Sequence, residues 1–514
     1  MNFFKKIAFG LLLLLTYKVQ SQSKYWLFLK NKNQKDTPAV SAKTLQNRLQ
    51  QGLLAYDETD LPIDANYYSI LHKKYTILHK SKWLNAVSAL LTPAEIEEAK
   101  QFSFIKEIKP IDGNFYITKT QFEKSATMAP VMSQIQAEVF DKMNLNGKGI
   151  TIGVIDAGFF EAPLNPELKH LFDREAIKGF RDYVNPSLAA TPNKFYSTSE
   201  SYSDFHGSEV MIAIAGKEPT LQSGLATDAE FYIARTDHGG REWRGEEDNW
   251  IAAMEWMDSL GVRLINTSLG YAKGFTDAKE NYEPAQMDGK TSVISRAAQM
   301  AVDKKGMLIV VSAGNEGDDP HWRLISTPAD AEGVLSVGAT NQRFWNKIGY
   351  SSVGPEFLPY LKPNVSCFSL YGTSLSAPVI TGFAACLMQA APTLTNKQIM
   401  SIIEKSAHLY PYGNNFVGYG VPQASRALAL LRTTTETDSS YAREIKVDGN
   451  SFAYKLPETV DAVAIYHKKD QTHVLVQEAV RVKNGELSIR RKQGAARTTI
   501  DLKNEVIELI WKDI

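Results

Sequence analysis

From Gly149 onward the chain repeats one pattern, a short run of continuous apolar residues followed by a stretch with helical spacing. The apolar runs are "GITIGVID", "EFYIAR", "VRLINTSLG", "MLIVVSAGN" and "GVLSVGAT", and "HGSEVMIAIAG", "WIAAMEWMDSLG" and "TSVISRAAQMAVDKKG" separate most of them. A strand that is apolar on both faces must be covered on both faces, and a helix between strands returns the chain parallel. The pattern predicts an α/β fold with a mostly parallel central sheet and helices on both faces. Sites in such sheets form beyond the carboxyl ends of the strands. Asp156, Ser268 and Asn315 stand at three of those ends.

A second constraint is "YGTSLSAPV", Tyr371 to Val379, followed by the apolar "ITGFAACLMQAAP". Proline lacks an N–H and is tolerated in a helix's first turn, so Pro378 predicts a helix start near Leu375 to Pro378. Ser374 then sits at the positive end of the helix, where negative charge developing beside it is stabilised, as a nucleophile requires. Gly382, Ala384 and Ala385 let the helix body pack closely. His206, which opens an apolar helix with Gly207 beside it, is the candidate base. Asp156, ending a buried strand, is the candidate group to orient it. Taken singly, each has a structural reading as a cap, a satisfied histidine or a salt-bridge partner. Together they run in the order Asp, His, Ser, with spacings of 206 − 156 = 50 and 374 − 206 = 168 residues. That order differs from those of chymotrypsin and the α/β-hydrolases. The sequence carries no Gly-x-Ser-x-Gly elbow and no His-Glu-x-x-His motif.

These segments resemble the subtilisin-like serine peptidase family: "GVIDAGF", "HGSEV", "SLG" at Ser268 to Gly270, "SAGNEG" and "GTSLSAPV", spread over roughly residues 130 to 430. The resemblance implies that Asp156, His206 and Ser374 form a triad and that Asn315 is the side-chain donor of an oxyanion hole. It implies that Ser268, Leu269 and Gly270, with Ala313 and Gly314, are extended edges that pair with a peptide substrate. "GYGVPQASRAL" resembles the family's closing segment. Three positions depart from the usual pattern: Ala157 after the aspartate, Ser208 and Glu209 after His206-Gly207, and Leu375 after the serine. Glu209 brings a carboxylate near His206, which raises an imidazole pKa.

The rest of the chain gives the frame. Residues 1–21, basic at Lys5 and Lys6, apolar from Ile7 to about Tyr17 and ending in Val19 and Ser21, read as a signal peptide too short to span a bilayer. They predict a secreted, periplasmic or cell-surface protein with no membrane span. Residues 22–125 mix strands with a well-capped helix at "TPAEIEEAKQF", a small α+β unit similar to the family's propeptide, followed by a linker at "TKTQFEKSATMAPVMSQ". The catalytic domain spans 130–430. After "TTTETDSS", residues 436–514 alternate as five short strands, "FAYKLP", "AVAIYHK", "HVLVQEAVRV", "ELSIRR" and "TTIDL", of a small β-domain whose expected roles are sorting, substrate contact or simple packing. Lys+Arg and Asp+Glu balance at 57 each, which gives no electrostatic footprint for nucleic acid. With only two cysteines, Cys367 and Cys386, the chain does not rely on a disulfide framework; the two could pair, but their places on either side of Ser374 favour two buried free thiols. No cofactor or metal follows from the residues, and structural calcium stays open. "REWRGEEDNW" reads as a solvated loop, and Glu246, Glu247 and Asp248 fall where the family places the rim of its upstream substrate pockets, which favours basic substrate residues. The expected function is a secreted serine endopeptidase that acts on proteins or peptides and cuts off its own propeptide between Tyr116 and Pro130. The alternative is a catalytically silent peptide-binding or adhesion module on the same fold.

Overall fold

The computed structural model describes residues 22–111, 129–187, 191–199, 201–219, 221–238, 244–273, 281–432, 441–457 and 460–512. The expected signal peptide, most of the expected cleavage window and the expected linker at residues 433–440 lie outside them. In the N-terminal unit, β1 (Ser23–Leu29), β2 (Thr76–Ser81), β3 (Ala86–Leu91) and β4 (Ile105–Pro110) form an antiparallel sheet in the order β2-β3-β1-β4. Its helix Pro93–Ala99 starts as the sequence predicts. The Thr92 hydroxyl accepts from the Glu95 N–H at 3.3 Å, and the Glu95 carboxylate accepts from the Thr92 N–H at 2.7 Å, so two donors at the helix start are satisfied reciprocally.

The central sheet has seven strands. They are β5 (Thr151–Asp156), β6 (Ile177–Asp182), β9 (Glu230–Arg235), β10 (Leu264–Thr267), β11 (Leu308–Ser312), β12 (Leu335–Thr340) and β13 (Val365–Phe368). The short pair β7 (Lys217–Glu218) and β8 (Leu221–Gln222) forms its own ladder. The order is β13-β12-β11-β10-β5-β9-β6, and every pairing is parallel. Five of the seven match the apolar runs in the sequence. The other two are the edges: β6, "IKGFRD", is half-exposed and carries charges, and β13, "VSCF", is only four residues long. Neither gives the continuous apolar signal of an inner strand. Along β5, Ile152 and Val154 face the layer of helices His206–Ala215 and Thr373–Ala390, while Ile155 faces the layer of Glu247–Ser259 and Val293–Lys305. Thr373–Ala390 is long and apolar enough to cross a membrane, yet 83% of it is buried inside the molecule, so it is the core helix of one layer.

The N-terminal unit packs on the helices of the other layer. Trp26, Phe28, Trp83 and Ala86 join the same apolar cluster as Trp250, Met254 and Ala298. The Glu255 carboxylate accepts from the Lys82 and Trp83 N–H groups at 3.1 and 3.2 Å and from the Ser81 hydroxyl at 2.5 Å. Arg48 bonds to Asp60 at 2.7 Å and to Asp258 at 2.8 Å, and Lys305 reaches Asp60 at 2.9 Å, all four buried. The burial of Glu246, Glu247 and Asp248 overturns the reading of "REWRGEEDNW" as a solvated loop and of its carboxylates as an exposed rim; residues 241–243 of that stretch lie outside the described residues. Glu246, Glu247 and Asp248 are 1%, 2% and 0% exposed. Glu246 accepts from the His238 N–H, Glu247 from the Tyr282 hydroxyl, and Asp248 from Lys24 and Ser88 of the N-terminal unit. The charges serve internal partners, and those of Glu247 and Asp248 lie far away in sequence.

The C-terminal unit has seven strands, two more than the alternation shows. β14 (Ala442–Val447), β16 (Ala462–Lys468), β17 (Val474–Arg481), β19 (Arg497–Asp501) and β20 (Val506–Trp511) form a sheet in the order β14-β20-β19-β16-β17, and β15 (Ser451–Lys455) pairs with β18 (Glu486–Arg490). β14 is an exposed, charged edge, and Glu508 interrupts β20. Glu508 is fully buried and paired with Lys468 at 2.9 Å. The unit packs against the central domain through Leu409, Phe416 and Val417 against Tyr466, Val474 and Val506, and through a buried His408 Nε2–Asp501 contact of 3.0 Å. Cys367 and Cys386 are free and buried, and burial pushes both thiols up.

Arg48→Ala removes one cation and leaves Asp258 buried without it. In urea unfolding of the full-length chain, with Ser374→Ala in both proteins to keep it uncut, the variant is expected to lose about 3–5 kcal/mol, as for a broken buried ion pair. A loss under about 1 kcal/mol would mean that the network does not hold the N-terminal unit in place.

Candidate functional site

Asp156 is the last residue of β5 and is fully buried. Its Oδ1 accepts from the Ala157 N–H at 2.8 Å and lies 2.6 Å from His206 Nδ1. A carboxylate at that distance fixes the proton on Nδ1 and leaves Nε2 as the basic nitrogen. His206 is the first residue of helix His206–Ala215. The Gly207 N–H bonds to the Gly158 carbonyl at 2.8 Å, and a Cβ on Gly207 would lie 2.3 Å from that oxygen, so only glycine lets the helix approach β5 this closely. Arg235 braces the same corner. It donates to the Ala157 carbonyl at 3.0 Å and pairs with Asp182 and Asp204 at 3.3 and 3.1 Å.

Burial alone would lower the His206 pKa. The Asp156 carboxylate opposes this most strongly, with Glu209 and Asp237 adding to it, and the net direction is upward. Glu209 thus acts on His206 as the sequence suggested. Asp237 is a residue the sequence reading missed. It is fully buried just past the end of β9, accepting from the Tyr271 hydroxyl at 2.9 Å and the Thr236 hydroxyl at 2.9 Å. Burial, with Asp156 nearby, pushes its pKa up to about 7. Its signal was its place at the carboxyl end of a parallel strand, the same signal that marked Asp156.

Ser374 is the second residue of helix Thr373–Ala390 and is 5% exposed. The helix starts two residues earlier than Pro378 predicted, so the proline lies beyond the first turn. A proline there deprives the carbonyl four residues back, that of Ser374, of its helical donor. The Ser268 hydroxyl donates to that carbonyl at 2.8 Å. Asn266 Nδ2 donates to Ser268 Oγ at 3.2 Å, and the Thr381 hydroxyl donates to Asn266 Oδ1 at 2.8 Å. This closed polar relay ties the end of β10 to the Ser374 helix.

Asn315 is fixed by its amide oxygen, which accepts from the Thr373 N–H at 2.8 Å and the Thr373 hydroxyl at 3.0 Å. Gly372, with φ +145, shows where its Nδ2 lies: a Cβ there would sit 3.1 Å from Ser374 Oγ and 3.5 Å from Asn315 Nδ2. The amide donor and the hydroxyl flank one small space. Of the expected substrate edges, Leu269 and Ala313 turn their side chains into the core. At Gly270 and Gly314 an added Cβ would lie 2.1 and 3.3 Å from Ser326 Oγ. Both glycines border Ser326, a residue the motifs did not single out. The structure joins Asp156 to His206 and packs the Ser374 helix beside the His206 helix. Among the described residues, no hydrogen bond joins Ser374 Oγ to the imidazole. No group of three or more His, Cys, Asp or Glu among the described residues is placed to hold a metal ion. Chemically, a neutral imidazole held by a buried carboxylate can deprotonate a nearby hydroxyl, and a helix start with an amide donor can stabilise an oxyanion.

A family model described as the subtilase family matches residues 147–420, and one described as the peptidase S8 propeptide domain of Bacteroidota matches residues 24–127. Subtilisin DY of Bacillus licheniformis is 26% identical over 286 residues, covering 53% of this chain and 89% of that protein. Subtilisin NAT of Bacillus subtilis subsp. natto is 27% identical over 351 residues, covering 65% of this chain and 78% of that protein. Among solved structures, the epidermin leader peptide processing serine protease of Staphylococcus aureus aligns with a TM-score of 0.53 at 15% identity, covering 79% of this chain and 99% of that one. That likeness is one of fold.

Asp156→Asn is expected to lower the His206 pKa below its wild-type value, because burial is then opposed less. An NMR titration of the His206 ring tests this, and an unchanged pKa would remove Asp156 as its main electrostatic partner. Ser268→Ala leaves the Ser374 carbonyl without its donor. It is expected to cost about 1–3 kcal/mol in urea unfolding, and an unchanged midpoint would contradict the relay.

Proposed function

This chain belongs to the subtilase family and is a serine endopeptidase; we propose that Ser374 is its nucleophile, His206 its general base and acid, and Asp156 the group that orients and stabilises the imidazole. The observation that carries this reading is the 2.6 Å contact between the buried Asp156 carboxylate and His206 Nδ1. His206 Nε2 takes the Ser374 proton as Oγ attacks the scissile carbonyl, and an acyl-enzyme forms when the imidazolium returns that proton to the departing amine. Water then repeats the sequence and releases the acid. The Asn315 Nδ2 and the Ser374 N–H receive the oxyanion. The extended edges Ser268 to Gly270 and Ala313 to Gly314 pair with the acyl side of the peptide.

The N-terminal unit is the propeptide of a zymogen, exported behind residues 1–21 and cut by the enzyme itself between Tyr116 and Pro130. The propeptide-domain match at residues 24–127 and the buried contacts from Lys24, Arg48 and Ser81 to the catalytic domain support this. Its partners are protein or peptide substrates and its own propeptide. The C-terminal β-domain serves by packing on the catalytic domain.

Three outcomes are expected. Asn315→Ala lowers kcat by about 10²–10³, a magnitude taken from subtilisin itself; near-normal turnover would remove Asn315 from its role. The acid limb of kcat/KM lies above the ordinary imidazole value of 6.5, because His206 must be neutral to act as base and its pKa is raised; a limb below 6.5 would contradict the assignment. Ser374→Ala precursor, made in cells without another exported protease of this type, stays near full length while wild type loses its N-terminal unit. Processing of both at the same bond and rate would assign the cut to another protease.

A further inference from the structure

Residues 347–352, in the loop after β12, lie against the turn at residues 314–317, which follows β11 and carries Asn315. Lys347 opens that stretch and is 7% exposed. Its ammonium donates to the carbonyls of Ile348, Gly349 and Ser351 at 3.1, 2.7 and 2.9 Å. An ammonium has three N–H donors, and all three are used. Three carbonyl oxygens aimed at one point repel one another and need positive charge between them. Here the cation is part of the chain. The Lys347 backbone is held as well. Gln477, on strand β17 of the C-terminal unit, accepts from its N–H at 3.1 Å and donates to its carbonyl at 2.8 Å.

The same loop grips the Asn315 turn. The Ser352 N–H donates to the Gly314 carbonyl at 3.1 Å, and the Gly317 N–H donates to the Tyr350 carbonyl at 2.7 Å. The Ser352 hydroxyl accepts from the Glu316 N–H and donates to the Glu316 carboxylate, both at 3.1 Å. That carboxylate accepts from the Asn315 N–H at 2.9 Å. A Cβ on Gly317 would lie 1.9 Å from the Ser351 carbonyl oxygen and 2.9 Å from that of Gly349. The turn therefore packs directly on two of the three carbonyls that the ammonium gathers. Thr373 fixes the Asn315 amide, and this loop fixes the Asn315 main chain.

We propose that Lys347 is a positioning residue for the oxyanion hole: its ammonium gathers the carbonyls on which the turn at residues 314–317 rests, and so sets where Asn315 Nδ2 meets the developing oxyanion. The proposal rests on the assignment of Asn315 made above. Without the cation the three carbonyls spread, the turn shifts and the donor is misplaced. An oxyanion exists only in the transition state and the intermediate, so the effect falls on kcat.

Lys347→Met keeps the length of the side chain and removes its charge. In peptide hydrolysis by the matured enzyme it is expected to lower kcat about tenfold and to leave KM within about twofold. The loss is smaller than that of Asn315→Ala because the donor is displaced and not deleted. In the Asn315→Ala background the same change should cost less than about twofold, because the donor it positions is gone. Lys347→Ala with added n-propylammonium covers the case in which the methionine variant does not fold. The amine supplies the carbons and the charge that alanine lacks. It should raise kcat of this variant saturably toward wild type, while n-propanol does not and wild type shows no rise.

A tenfold loss that persists in the Asn315→Ala background assigns the effect to another route, such as the Tyr350 hydroxyl on the Ser369 carbonyl at 2.7 Å, and overturns the proposal. So does wild-type kcat in Lys347→Met, a loss confined to KM, or a folded Lys347→Ala on which the amine has no effect. In each of these cases Asn315→Ala alone stays slow and the oxyanion assignment stands. Near-normal turnover in Asn315→Ala removes that assignment, and this proposal with it.

Discussion

Pro378 withholds the donor that the Ser374 carbonyl would receive in an unbroken helix, and the Ser268 hydroxyl takes its place at 2.8 Å. Much of the site's geometry depends on that substitution. Asn266 and Thr381 complete the relay and bind the end of β10 to the helix that carries Ser374. The relay is buried and each of these contacts is matched, which makes it rigid and makes any gap in it costly. On the other side, Thr373 anchors the Asn315 amide. Two neighbouring residues at one helix start are thereby fixed to two different strand ends. The hydroxyl and the amide donor keep their spacing because the parallel sheet keeps the spacing of those strands.

The same logic places His206. Asp156 ends β5, next to β10, and holds the imidazole in one tautomer and one orientation. Buried negative charge accumulates behind the ring, with Asp156, Asp237 and Glu209 all acting on it. This cluster favours the imidazolium, the form that the imidazole takes transiently when it accepts a proton. Glu209, one departure from the family's usual pattern, thus acts on the base.

How much of this the sequence showed depended on whether a residue's role was local. Apolar runs marked the five inner strands of the central sheet, and Thr92 with Glu95 marked a helix start, because period and capping are written in adjacent residues. Asp156, His206, Asn315 and Ser374 were legible because each stands at an element's end in a short motif. Edge strand β6 was missed because half-exposure permits its charges, and β20 because Glu508 finds its partner, Lys468, on another strand. Glu246, Glu247 and Asp248 were misread for the same reason: a run of carboxylates is solvated unless distant residues supply cations and hydroxyls, and here Lys24, Ser88 and Tyr282 do. Pro378 placed the helix start only approximately, since the rule that confines proline to the first turn assumes that no side chain replaces the lost donor.

The central claim is that Ser374, activated by His206, forms a covalent acyl-enzyme. Its most direct test is intact-mass and peptide mass spectrometry after reaction with a fluorophosphonate, which is captured only by an activated serine. One adduct should form, on the peptide that contains Ser374. It should be absent in Ser374→Ala and form far more slowly in His206→Ala. An adduct on a different serine, or none on the matured wild type, would contradict it.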